Sequence, residues 1–116
     1  MITYWHNPRC SKSRAGLALL EEAGVQVIQR LYLKDAPSLD ELRAVQTALC
    51  LSAIQMMRTG EARFKELGLS KDADDAVLLQ AMAENPILIE RPVAIKQDTA
   101  VIGRPPERVL ELIESA

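Results

Sequence analysis

The chain has 116 residues, 48% of them hydrophobic and 26% charged, with a net charge of -2. At roughly 100–200 residues per domain that is one domain, long enough to bury a real core. The charge excludes a strongly basic nucleic-acid binder, and the aliphatic content excludes an acidic disordered chain. The only aromatics, Tyr4, Trp5, Tyr32 and Phe64, are too few to stack single-stranded nucleic acid. No apolar run approaches the ~20 residues of a membrane span, and Met1-Ile2-Thr3-Tyr4-Trp5 does not read as a secretory leader. Cys10 and Cys50 make no disulfide scaffold, so the expected compartment is the cytosol, with both thiols reduced.

Residues 2–5 are β-rich and read as a short strand, broken by His6-Asn7-Pro8-Arg9. Cys10 or Ser11 opens a helix of about twelve residues, whose apolar stripe holds Leu17, Leu20 and Ala23 and which Gly24 closes. Residues 25–32 form a second strand. Strand, helix, strand is a βαβ unit, so the two strands are expected parallel. Ser38-Leu39-Asp40-Glu41 is a capping box. It opens a helical stretch over about 38–85, with further starts at Ser52, near residue 61 and at Asp74-Asp75, and a stop at Asn85-Pro86. Residues 93–95 and 100–102 flank a polar turn at 96–99 and read as a hairpin. A last helix begins at Pro105-Pro106, with Val109, Leu110 and Ile113 inward. The order is βαβ, helical insertion, ββα, in one α/β domain over 1–116 with a mixed four-stranded sheet.

Cys10 follows a strand and begins a helix. Unpaired N–H groups and the helix dipole favour an anion there, whether a thiolate or an oxyanion. His6, Arg9, Lys12 and Arg14 are close in sequence, and each lowers the thiol pKa if it faces the sulfur. The effect decides reactivity: at a pKa near 8.5 about 3% of a thiol is ionised at pH 7, and near 6.5 about three-quarters is. Cys10-Ser11-Lys12-Ser13 has the spacing of a C-x-x-C motif with Ser in the second place. Ser13 cannot resolve a disulfide, so an outside thiol must, but its hydroxyl is one helical turn from the sulfur and in position to donate to it. Cys50, between Leu49 and Leu51, reads as a core residue. Arg91-Pro92 precedes a strand and is a candidate cis bond. Three arginines gathered at one cysteine would cradle an oxyanion, since each holds two oxygens in a fork. Nothing in the sequence points to a metal ligand set.

Residues 4–14 (YWHNPRCSKSR), 86–92 (PILIERP) and 102–107 (IGRPPE) resemble the glutaredoxin-coupled arsenate reductases, the ArsC-like proteins, and in wording the chromosomal members. The resemblance runs over nearly the whole chain. It implies a thioredoxin-like fold with a helical insertion. It implies that Cys10 attacks arsenate to give a thiol–arsenate adduct, that glutathione enters as co-substrate and arsenite leaves, and that glutaredoxin reduces the mixed disulfide. No bound cofactor is implied. His6 matches the histidine that helps ionise the cysteine. Arg58, Arg91 and Arg104 match the oxyanion-binding arginines, with Arg63 close enough to be the alternative to Arg58. Pro92 matches the fold's cis-proline. Two other readings compete: a glutathione- or glutaredoxin-linked oxidoreductase of another substrate, and a non-enzymatic Spx-like regulator that binds RNA polymerase. The latter typically carry a second cysteine where Ser13 stands.

Overall fold

The structure, a computed structural model, describes residues 1–114. The last two residues of the domain expected over 1–116 lie outside the described residues. The chain divides into two compact units, residues 1–35 with the segment from Arg91 onward, and residues 36–90.

The first unit is α/β, with a thioredoxin-like mixed sheet of four strands. β1 (Ile2–Trp5) is followed by α1 (Ser11–Glu22) and β2 (Val27–Arg30). β3 (Val93–Lys96) and β4 (Thr99–Ile102) form the hairpin. The strand order is β2-β1-β3-β4, with β1 parallel to β2 and the other pairs antiparallel. Ile2, Tyr4, Ala94 and Val101 share one face of this sheet, and there they bury against Leu20 of α1 and against Val109 and Leu112.

α1 starts at Cys10, which caps it in an extended conformation. It closes as the glycine predicts: Gly24 is left-handed (φ 76°), its N–H bonds the Glu21 carbonyl, and the Val25 N–H bonds that of Leu20. That closure consumes Val25, and the chain turns at Leu31, whose carbonyl accepts from Lys34 and Asp35. β2 is therefore shorter than the expected 25–32. The inward stripe of α1 is Ser13, Gly16 and Leu20, with Leu17 packed against the same core as expected, while Ala23 is exposed. The hairpin turn is two residues, Gln97-Asp98, with Gln97 left-handed (φ 54°), so Lys96 and Thr99 pair within the strands. The final segment begins as a 3-10 helix (Pro106–Leu110) before α5 (Glu111–Glu114). Val109 is buried as expected, with Leu110 and Ile113 partly buried against the core, and Leu112 joins it as a fully buried member.

The second unit is helical. α2 (Leu39–Leu49) opens with the complete capping box, Ser38 Oγ accepting from the Glu41 N–H and Glu41 from the Ser38 N–H. Ser52 starts only a single 3-10 turn (Ile54–Met56). α3 (Ala62–Glu66) follows, and then α4 (Asp75–Glu84), which ends at Asn85 before a 3-10 turn at Pro86–Leu88. The Gln46 side-chain amide donates to Asp75, tying α2 to the start of α4 at 2.8 Å. Cys50 is not a core residue. α2 stops at Leu49, and Cys50 caps it in the left-handed region (φ 58°), which turns its side chain to solvent.

Candidate active site

The register of the sheet gathers the site. Trp5, Val93 and Ile102 stand side by side across β1, β3 and β4. The chain leaving β1 toward Cys10, the chain entering β3 through Arg91-Pro92, and the chain leaving β4 through Gly103-Arg104 therefore meet at one end of the sheet. Arg91-Pro92 is cis, and so is Arg104-Pro105, which the sequence reading did not mark. The Gly103 N–H donates to the Pro92 carbonyl at 2.9 Å, and an Arg104 guanidinium N–H donates to the Arg91 carbonyl at 3.1 Å. A Cβ on Gly103 would stand 2.8 Å from Pro92 Cγ and 2.9 Å from Val109 Cγ1, so only glycine lets these segments close.

Cys10 is buried at the N-cap of α1. Its N–H bonds the Asn7 carbonyl at 3.0 Å, which folds the His6–Arg9 loop back over the helix start. Asn7 Oδ1 accepts from the Arg9 N–H at 3.0 Å, and the Arg14 guanidinium donates to the Pro8 carbonyl at 2.8 Å. The sulfur closes no conventional cap bond, but the Ser13 and Lys12 amides face it, and so does Arg91. Burial pushes the thiol pKa up; those two amides and the Arg91 guanidinium outweigh it and hold Cys10 below its ordinary value.

His6 and Ser13 act on the sulfur less directly than expected. Both are buried. Ser13 Oγ accepts from the Asn7 N–H at 3.0 Å and shares a hydrogen bond with His6 Nδ1, 2.7 Å away. Ser13 Oγ is thus engaged by Asn7 and His6, and the Ser13 main-chain N–H faces Cys10. Burial first, and then the Arg14 charge, lower the His6 pKa against the opposing pull of Glu21. His6 is accordingly neutral at neutral pH, and it holds Ser13 rather than presenting a cation to the thiol.

Arg91 and Arg104 stand in the same unit as Cys10. Arg58 belongs to the second unit, where it pairs with Glu61 at 3.3 Å and its N–H bonds the Leu88 carbonyl at 2.8 Å. Arg63 is more exposed and is engaged by Asn85 (2.9 Å) and Glu66 (3.8 Å). Reading the sequence missed Tyr4, Asn7 and Gly103 as parts of the site. The signal for Tyr4 was present, since a buried phenol needs a partner for its O–H. Among the described residues no group of three His, Cys, Asp or Glu side chains could hold a metal ion, and no helix is long and apolar enough to cross a membrane.

The model of the ArsC family matches residues 5–112. An arsenate reductase of Haemophilus influenzae is 46% identical over 114 residues, which cover 97% of this chain and 98% of that protein. The uncharacterized protein YfgD of Escherichia coli is 44% identical over 114 residues, covering 97% of this chain and 96% of its own. Among solved structures, an arsenate reductase from Vibrio cholerae superposes with a TM-score of 0.91 at 46% identity, covering 95% of each chain.

Proposed function

The chain belongs to the ArsC family of arsenate reductases, and from that premise we propose that it reduces arsenate to arsenite through Cys10, with glutathione and glutaredoxin as electron donors. The observation that carries the reading is the setting of Cys10: a buried thiol at a helix N-terminus, faced by two amides and by Arg91. A thiolate is the nucleophile, and this setting favours the thiolate.

Arsenate binds as an anion at the same end of α1, held by the forks of Arg91 and Arg104. The role of Arg58 rests on its match to the family motif. The Cys10 thiolate attacks arsenic, an arsenate oxygen leaves as water, and a sulfur–arsenic bond forms. The glutathione thiolate then attacks the Cys10 sulfur. The sulfur–arsenic bond breaks with its electron pair on arsenic, which leaves as arsenite. Each sulfur has given one electron, and the two are joined as a mixed disulfide. Glutaredoxin takes the glutathionyl group by thiol exchange and returns Cys10 to the thiol. With Ser13 in place of a second cysteine the resolving thiol comes from outside, which supports a glutathione-linked cycle and a reducing, cytosolic setting. The same lack of a second cysteine counts against the regulator reading.

Coupled turnover tests this. Protein, glutathione, glutaredoxin, its reductase and NADPH are mixed with and without arsenate. Arsenate-dependent loss of NADPH is expected in the wild type and none in Cys10→Ser, whose circular dichroism stays native. Equal loss in the variant, or no dependence on arsenate, would overturn the reading.

A further inference from the structure

Tyr4 lies on β1 and is wholly buried. Its O–H donates to the main-chain carbonyl of Ser13 at 2.6 Å, and the Leu17 amide faces the phenol oxygen. In an α-helix the carbonyl of residue 13 and the amide of residue 17 are each other's partners. The phenol therefore reaches from the sheet into the seam of the first turns of α1. It can do so because residue 16 is glycine: a Cβ there would collide with the Tyr4 oxygen and stand 3.4 Å from Val109 Cγ1. The chemistry proposed for Cys10 gives this tyrosine no proton to move, and burial, the largest influence on it, keeps its O–H neutral.

What Tyr4 does is hold Ser13. Ser13 is fixed through its carbonyl by Tyr4 and through its hydroxyl by His6 and Asn7. Its remaining polar group, the N–H, faces the Cys10 sulfur. We propose that Tyr4 is a positioning residue for the Cys10 thiolate: its hydroxyl, admitted by Gly16, anchors the Ser13 carbonyl and so aims the Ser13 amide at the sulfur. The inference rests on the reading of Cys10 as the reacting thiol. Its test uses no arsenate, so either can fail alone.

The groups acting on the sulfur are the Arg91 guanidinium from the chain entering β3 and the Ser13 and Lys12 amides from α1, with the neutral Tyr4 of β1 near it. Removing the phenol oxygen changes none of these charges. A shift in the titration of Cys10 then reports the aim of the amide and not a lost charge.

The experiment measures the rate of Cys10 alkylation by iodoacetamide against pH, in a Cys50→Ser background because Cys50 is exposed. Tyr4→Phe should move the profile to higher pH by about half a unit, which slows alkylation about threefold below the thiol pKa. Gly16→Ala, which displaces the same oxygen, should move it the same way. Adding Gly16→Ala to Tyr4→Phe should move it little further, because the oxygen is already gone. An unmoved profile in Tyr4→Phe with only a lower Tm would reduce Tyr4 to a packing residue and overturn the proposal. Shifts that simply add would overturn the part assigned to Gly16. Should circular dichroism show Tyr4→Phe unfolded, Gly16→Ala against wild type decides: a shifted profile supports the proposal and an unmoved one ends it.

Discussion

At Cys10 the opposing influences can be weighed one by one. Burial raises the thiol pKa; the amides of Ser13 and Lys12 and the charge of Arg91 lower it, and the lowering wins. The folded protein therefore binds the thiol proton less tightly than the unfolded chain does. Stability from this group is fully present above the ordinary pKa of 9.0 and is lost as pH falls through the lower folded value. The difference in Tm between wild type and Cys10→Ser is expected to grow as pH rises from neutrality to 9.0; a flat or falling difference would mean that the fold does not favour the thiolate. His6 adds a separate window with the same sign. Its folded pKa lies below 6.5 because of its burial and the Arg14 charge, so its contribution is whole above 6.5 and is lost as pH falls through the folded value. The reactive setting of Cys10 was legible in the sequence because a strand–loop–helix junction is a local pattern. The roles of His6 and Ser13 were not, because which atom a side chain meets depends on the angle at which α1 leaves the sheet.

At the scale of elements, glycine and the left-handed turns decide most of what can change. Gly103→Ala forces a Cβ against the Pro92 ring and Val109, and overpacking of this kind costs about 1–3 kcal/mol. A urea midpoint equal to wild type would show that the end of β4 has room to spare. Cys50→Gly runs the other way. Cys50 holds a left-handed conformation that an L side chain adopts at a cost, so glycine should stabilise α2 by about 0.5–1 kcal/mol. An unchanged or lower midpoint would contradict this. Most of the elements were readable from sequence, because caps and breakers are local: Ser38 with Glu41, Gly24 and Asn85-Pro86 all stand where the structure uses them. Cys50 was misread for a physical reason. Its neighbours Leu49 and Leu51 continue an apolar run, but the helix ends at Leu49, and one residue in the left-handed region reverses the direction of a side chain.

At the scale of the molecule, the register that sets Trp5, Val93 and Ile102 side by side turns three distant segments into one site. Pattern alone yields the strands but not their order, so the meeting of Cys10 with Arg91 had to come from the folded chain. Arg58 and Arg63 could not be told apart by motif position; in the folded chain Arg58 is the less exposed, at 24% against 48%. The central claim is that arsenate reduction leaves Cys10 joined to glutathione. The most direct measurement is the mass of the protein after incubation with glutathione and arsenate, with glutaredoxin left out and the reaction quenched by acid. The account predicts one glutathionyl group per chain, mapped to Cys10, formed only with arsenate and released when glutaredoxin is added. No arsenate-dependent gain in mass, or a gain mapped to Cys50, would contradict it.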